Sequence, residues 1–451
     1  MKKNLIIVTA IITTLGLISV PVGYARATEQ NWSKVVYPGV YIEDLEVSGK
    51  QLSELEELIK EKYVKPVLSK KIEIQANDKK YEIDYEKLQA RYDAEAVAKE
   101  AFNYGKEENI VKRYMLIKSP VKKEFKLSFT YNPAPIDEII EKIEKDHKKE
   151  AENAKISVTK GDIKITPEKT GMKLEKDKLK QDILSQINEE LSQEVVKLNA
   201  PLVVVKPEIT SEKLSSINSK ISSFSTSFST SSAGRINNID LSTKSINGTL
   251  LMPGDTFSFN EAVGERTRER GYKEAGVIIG DKIESGLGGG ICQVSSTLYN
   301  AMLKSNIKAV ERRNHSLPLA YIGKGLDATV DWGNIDLKFK NTLDVPVYIE
   351  GYTENKNVYF NIYSNQDLTK KSYELVTEVT DTIQPTVKYI DDPKRNEGYT
   401  EVVKKASAGY KVKTYRKIFE NGKLIKTELV SSDYYRAVNG EIIRGTKKVS
   451  K

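Results

Sequence analysis

The sequence predicts a multidomain α+β protein. Two α+β repeats come first, then an α+β domain with a cysteine-bearing helix and an antiparallel sheet, and last a C-terminal all-β module. Three observations carry this. In the first half, a helical stripe of apolar residues followed by alternating strand pairs occurs twice, about 80 residues apart. The one cysteine among 451 residues sits where a glycine run meets a new helical stripe. Beyond that helix the chain becomes β-rich: Leu337 and Phe339, then Val345, Val347 and Ile349, then Val358, Phe360 and Ile362 each alternate, and the pattern is again β from about 366.

In the first repeat, Leu55, Leu58 and Ile59 form the helical stripe, and Ile72, Ile74, Tyr81 and Ile83 mark two strands about an Asn77-Asp78 turn. In the second, the stripe is Ile136, Ile139, Ile140 and Ile143. The strands carry Ile156, Val158, Ile163 and Ile165 about Lys160-Gly161. A second helix follows each, over Ala94 to Ala101 and Lys178 to Ile187, and strands Val196 to Leu198 and Val203 to Val205 close the second unit. The repeats therefore span roughly 35–125 and 126–207. His147, in the charged stretch Lys142 to Glu150, reads as the end of a solvated helix and receives no role.

Lys2 and Lys3 precede an apolar run from Leu5 to about Gly23, and Ala25-Arg26-Ala27 fits a cleavage pattern, so residues 1–27 are expected to be an export signal. The run also suits an uncleaved anchor. No later segment has the apolar length of a membrane span, so the rest is expected outside the cytoplasm, touching membrane only through the N-terminal segment. Net charge is +8, from 71 Lys and Arg against 63 Asp and Glu. That balance suits an anionic polymer such as a bacterial wall. No basic patch with interleaved aromatics points to nucleic acid. One cysteine excludes an internal disulfide framework, and with two histidines it cannot build a usual structural zinc site. There is no Walker loop, dinucleotide fingerprint or G-x-S-x-G elbow, and neither metal nor cofactor is expected.

The third domain is placed at 208–365. Phe224 and Phe228 suit a strand. Ile236, Ile239, Thr243 and Ile246 suit a helix ended by Asn247-Gly248, and Phe257 and Phe259 alternate after a Pro253-Gly254 turn. The Gly286 to Gly290 run then allows a tight turn into a helix from about Ile291, with Val294, Leu298, Ala301 and Met302 on one face. Cys292 falls in its first turn, where the dipole and free N–H groups favour a thiolate; a small buried hydrophobe is the other reading. His315 follows in RRNHS. The order Cys292, His315, then Asp327 or Asp331 suits a nucleophile, a base and an orienting acid. Asp331 takes the acid's role, on a strand joined to that of His315 by a Gly323 to Gly325 turn. Gly288, Gly289, Gly290 and Gln293 are candidates for holding an oxyanion, and Asp327 is a further binding candidate. The alternative has the aspartates capping turns. ERTRERG, Glu265 to Gly271, groups three arginines that could bind a carboxylate or phosphate, though solvated charge is the commoner use.

PGDTFSFN (Pro253 to Asn260), VGERT (Val263 to Thr267), GGGICQVSSTLYNA (Gly288 to Ala301), RRNHS (Arg312 to Ser316) and DATVDWGNIDLKFKN (Asp327 to Asn341) occur in the order found in the VanW family, and the region from Ile236 to Ile362 resembles it. The resemblance implies a place in the bacterial cell envelope, without fixing an activity. The two repeats resemble peptidoglycan-binding modules that precede such domains. The tail, 366–451, has Gly398, Gly409, Gly422 and Gly445 and a hairpin signal at Glu420 to Lys423, and resembles the G-five module, which implies contact with cell-surface polymers. The Cys-His-Asp order resembles papain-like and transglutaminase-like enzymes. The expected function is an exported envelope protein that binds peptidoglycan or another wall polymer. The alternatives are a cysteine amide hydrolase or transpeptidase acting on peptidoglycan peptides, and a structural spacer or assembly factor.

Overall fold

The computed structural model describes residues 23–188, 194–279 and 282–448. The expected export signal lies mostly outside the described residues; within them, residues 23–32 are helical. No helix among the described residues is long and apolar enough to cross a membrane. The fold is mixed α+β, ending in an all-β region. The chain divides into two compact units, one of residues up to Ala151 with Thr170–Lys206, the other of Glu152–Lys169 with Pro207–Lys451.

In the first unit, the hairpin Lys71–Ala76 and Lys79–Asp84 buries Ile72, Ile74, Tyr81 and Ile83 on one face, as period-two alternation requires. Val195–Asn199 extends it by pairing parallel to the first strand. Helices Ala134–His147 and Lys176–Gln186 turn Ile136, Ile140, Ile143, Leu179 and Ile183 into the same core. The first hairpin thus shares its core with helices from the segment read as the second repeat. A separate cluster forms beneath helices Leu52–Ile59 and Ala94–Asn103. His147 is not at a solvated end: it is buried, and its Nε2 lies 3.2 Å from the Tyr81 hydroxyl.

The hairpin Lys155–Thr159 and Asp162–Thr166 belongs to the second unit, so the segment 126–207 contributes to both units. The physical reason is where its apolar face is covered. Ile156, Val158, Ile163 and Ile165 pack with Leu214, Ile217, Tyr348 and Tyr363, and the Val158 N–H donates to the Tyr348 hydroxyl at 3.3 Å.

At the centre of this unit is a four-stranded antiparallel sheet ordered Ser219–Ser227, Asn357–Ser364, Val347–Glu354 and Thr249–Leu251. Helices Ala233–Ile246 and Ile291–Leu303 supply Ile239, Ile246, Val294, Leu298, Ala301 and Met302 to a core shared with Ile349, Phe360 and Ile362. A smaller sheet joins Thr256–Ser258, Lys338–Lys340 and Ala309–Glu311. The stretch between Glu311 and Lys338, expected as two neighbouring strands, is chain without helix or sheet, interrupted by bends and turns. From Lys371 the chain is all β. One three-stranded sheet joins Lys371–Ile383, Gly409–Glu420 and Lys423–Tyr435, and another joins Val387–Asn396, Gly440–Lys447 and Thr400–Lys404.

Leu298 has no solvent exposure and sits at the middle of the central core. Leu298→Ala is expected to destabilise the second unit by about 2–5 kcal/mol, the range for a buried leucine whose cavity cannot collapse. Urea unfolding followed by near-UV circular dichroism checks this.

Candidate active site

The turn into the cysteine helix depends on glycine at two positions. A Cβ on Gly289 would fall 2.7 Å from the backbone of Ala275, and Gly290 holds a left-handed φ of 108°. Buried Asn238 fastens the turn: its Nδ2 donates to the carbonyls of Gly289 at 3.0 Å and Lys273 at 2.8 Å, and its Oδ1 accepts from the Lys273 N–H. The helix therefore starts at Ile291, with Cys292 in its first turn and half-buried.

One stripe of this helix is polar although the helix is almost wholly buried. Cys292, Ser295, Ser296 and Asn300 follow i, i+3, i+4, i+8 spacing and face the extended segment 326–330. Asn300 Nδ2 donates to Leu326 O at 2.7 Å, Ser295 Oγ to Ala328 O at 2.7 Å, and the Ala328 N–H to Ser296 Oγ at 2.9 Å. In its thiol form Cys292 Sγ reaches Val330 O at 3.5 Å. The opposite edge of the segment meets the chain that carries His315: Arg312 Nε donates to Asp327 O at 2.7 Å, and the Thr329 N–H to Arg313 O at 2.8 Å.

This layering brings together Cys292, His315 and Asp327. His315 Nδ1 lies 2.7 Å from Asp327 Oδ2, which also accepts the His315 backbone N–H at 2.6 Å. The imidazole is thus held by the carboxylate on one side, and lies close enough to Cys292 for its charge to act on the thiol. Asp327 Oδ1 accepts from the Tyr435 hydroxyl, which itself accepts the Gly325 N–H at 2.6 Å. Arg312 Nη1 pairs with Asp433 at 2.5 Å, and Thr414 Oγ1 donates to Gly325 O at 3.0 Å. Tyr435, Asp433 and Thr414 all come from the C-terminal β region, so that region walls the site.

Burial alone would raise the thiol pKa, but the hydrogen bond and charge of His315, with help from Arg266, bring it below the ordinary value. Burial would likewise lower the imidazole pKa. The bonds to Asp327 and Cys292 prevail, and His315 is raised to about 9. Burial also works against ionised Asp327, which its hydrogen bonds from His315 and Tyr435 keep below the usual carboxylate range. The directions of these shifts favour a thiolate–imidazolium pair backed by a carboxylate.

The carboxylate on the imidazole is Asp327, assigned above to binding, in place of Asp331. Asp331 accepts instead from Asn334 Nδ2 at 2.8 Å and pairs its backbone with Ile335, forming a local turn. Gln293 does not face the thiol. It is fully buried, and its Nε2 donates to Thr226 Oγ1 and Ser227 O, both at 2.9 Å, about 100° around the helix from the thiol. Gly288, Gly289 and Gly290 lie directly before Cys292 and shape the turn. The residues missed by sequence reasoning are Tyr435, Arg312 and Asn238. The spacing of Ser295, Ser296 and Asn300 with Cys292 was a usable signal for the polar stripe. Among the described residues no group of His, Cys, Asp and Glu is arranged to hold a metal ion.

Comparison with known proteins adds three regional matches. The family described as VanW like protein matches residues 234–363, one described as "Putative peptidoglycan binding domain" matches 81–196, and the G5 domain matches 374–447. The uncharacterized protein YoaR of Bacillus subtilis (strain 168) is 37% identical over 176 residues, covering 39% of this chain and 58% of that protein. The vancomycin B-type resistance protein VanW of Enterococcus faecalis is 29% identical over 137 residues, covering 29% of this chain and 50% of that protein. The chain thus spans between half and three-fifths of the length of these two relatives. A solved IgA1 protease G5 domain is 26% identical, covering 17% of this chain and 92% of that one, with a TM-score of 0.14. Regions matching a putative peptidoglycan binding domain, a VanW like protein and a G5 domain follow one another in that order, and they support a cell-wall-associated protein.

Cys292 is expected to be alkylated by iodoacetamide with an apparent pKa below the usual thiol range, and the rate at pH 7 should fall roughly tenfold or more in His315→Ala, where the largest opposition to burial is gone. Tyr435→Phe should lower it by a smaller factor, about two- to tenfold, through the lost hydrogen bond to Asp327, while Asp331→Asn should leave it unchanged. Stability should carry the matching signature. The contribution of His315 is full below the ordinary imidazole pKa and is lost as pH rises through about 9. That of Cys292 is full above the ordinary thiol value and is lost as pH falls through its lowered one. Melting temperature against pH in wild type and His315→Ala reads both limbs.

Proposed function

We propose that the second unit carries a cysteine acyl-transfer site acting on amide bonds of cell-wall peptides, and that the first unit and the C-terminal β region bind wall polymer and keep the site near its substrate. One observation carries the catalytic part: Cys292, His315 and Asp327 form a continuous nucleophile–base–acid relay, with the thiol half-buried rather than sealed in the core. A cysteine serving only as a small core hydrophobe has no use for an ionised imidazole beside it.

The chemistry follows from the resting ion pair. The Cys292 thiolate attacks the carbonyl carbon of the amide, and its negative charge passes to the carbonyl oxygen. Among the first-turn amides, Ile291 N–H and Gln293 N–H are engaged by Gly288 O at 3.2 Å and Gly290 O at 3.0 Å. The Cys292 N–H is the candidate donor to that oxygen. As the tetrahedral centre collapses, the C–N bond breaks and imidazolium His315 gives its proton to the departing amine, leaving a thioester and neutral imidazole. Water or a second amine then attacks the thioester and loses a proton to His315. The C–S bond breaks, restoring thiolate and imidazolium with an acid or a new amide as product. Asp327 holds the imidazole orientation throughout. An extracytoplasmic location fits the proposed substrate.

Purified protein incubated with muropeptides should show a mass increase on Cys292 by intact-protein mass spectrometry, with loss or exchange of an amide in the peptides. Cys292→Ala should abolish both, yet still sediment with insoluble peptidoglycan. Sedimentation without any Cys292-dependent change in the peptides would leave wall binding as the whole function.

A further inference from the structure

The three arginines of ERTRERG part company in the fold. Arg268 pairs with Glu274, and Arg270 Nη1 donates to Glu265 O at 2.7 Å. Arg266 turns inward, close enough for its charge to act on the Cys292 thiol. Its guanidinium lies between two rings, 5.9 Å from that of Phe259 and 5.8 Å from that of Trp332. Neither Nη1 nor Nη2 reaches solvent, and neither has a hydrogen-bond partner among the described residues. Gly288 makes the approach possible, since a Cβ there would meet Arg266 Cγ at 3.1 Å. A buried, unpaired guanidinium is costly unless an anion completes it, and its fork matches a carboxylate. Trp332, 43% exposed, is the wall of this niche that faces solvent.

We propose that Arg266 is a carboxylate-binding subsite beside the Cys292 thiol, so that the peptide attacked carries a carboxylate next to its scissile amide. This rests on the cysteine-enzyme reading and narrows it to acidic peptide substrates. Aromatic walls leave the guanidinium, planar by its own delocalisation, poorly hydrated, the state in which a bidentate carboxylate contact gains most. Arg235, over the Tyr321 ring at 5.7 Å, is already engaged by Ser231 Oγ at 2.7 Å and is the natural control.

Two alkylating reagents of similar size test this on the intact protein, because iodoacetate carries a carboxylate beside its reactive carbon and iodoacetamide does not. In wild type the iodoacetate-to-iodoacetamide rate ratio at Cys292 should exceed that of free cysteine. Arg266→Gln should lower the ratio by roughly tenfold, and Arg266→Lys, which keeps charge but not the fork, should lower it less. Arg235→Gln should leave it unchanged. Equal loss of both rates in Arg266→Gln would make Arg266 only a modulator of the thiolate and overturn the subsite. An unchanged ratio, or one that responds to Arg235 instead, would overturn it as well. Protection of Cys292 from iodoacetamide by short peptides then identifies the source of the carboxylate. A peptide with a free C-terminal acid, its C-terminal amide, and an amide with a neighbouring glutamate separate a terminal from a side-chain carboxylate. Protection by none, or by the plain amide equally, overturns the proposal while leaving a reactive thiol intact. Silence of Cys292 toward both reagents until the protein unfolds would instead remove the enzyme reading itself.

Discussion

The site depends on a register between two kinds of backbone. Asn300, the Ser295 and Ser296 pair, and Cys292 are spaced about four residues apart on their helix, a rise of ~6 Å per step. Leu326, Ala328 and Val330, which they meet, are two residues apart on extended chain, ~6.6 Å per step. The steps nearly match, so one stripe of a helix can bond successive alternate positions of a segment that has no sheet to hold it. The residues between, Asp327 and Thr329, are then free to bond the opposite side, where Arg312 and Arg313 lie. Thiol, carboxylate and imidazole become parts of one three-layer arrangement. A slip of two residues would carry the carboxylate ~6.6 Å from the imidazole and leave Asp327 buried without its donors.

Burial sets the electrostatic terms of that arrangement. An ionised carboxylate in the interior is tolerated only when its lone pairs are filled. Asp327 receives the His315 N–H groups from backbone and ring, and the Tyr435 hydroxyl. Arg312 is similarly shared among Asp433, Gly325 O and Asp327 O. Two of these partners, Tyr435 and Asp433, come from the C-terminal β region. That region is therefore part of the structure that fixes the imidazole, besides being a match to a surface module. The Arg266 niche stands apart because it contains a cation with ring faces around it and no filled acceptor.

Much of the fold was legible because period and turn chemistry are local. The helix ended by Asn247-Gly248, the Lys160-Gly161 hairpin and the strands after Cys292 stand close to where the pattern puts them. The choice between Asp327 and Asp331 was not legible. The two residues have the same parity on an extended segment, so alternation cannot separate them, and the deciding partner, Tyr435, lies about a hundred residues further along. Gln293 was readable in principle. A residue one step from Cys292 points about 100° away on the helix, which groups it with Thr297 toward Thr226, and away from the stripe of Ser295 and Ser296. Which helices cover which hairpin was beyond any local signal, since both repeats offer similar apolar faces.

The distinction between a binding domain and an enzyme turns on what the buried charges cost. If stability were the only requirement, replacing a buried ionic network with well-packed apolar residues would be neutral or favourable. Here Arg312, Asp327 and His315 form one buried polar network, and the shifts of His315 and Cys292 favour charge on both, beside a half-buried sulfur. The neighbouring helix start could have been capped by an ordinary serine, as Ser232 caps helix Ala233–Ile246. It is entered through glycines that let side chains come close, and its first turn presents a half-buried sulfur. The surrounding polar bonds fix the segment that carries Asp327 and the imidazole it holds, which is the arrangement the proposed nucleophile requires.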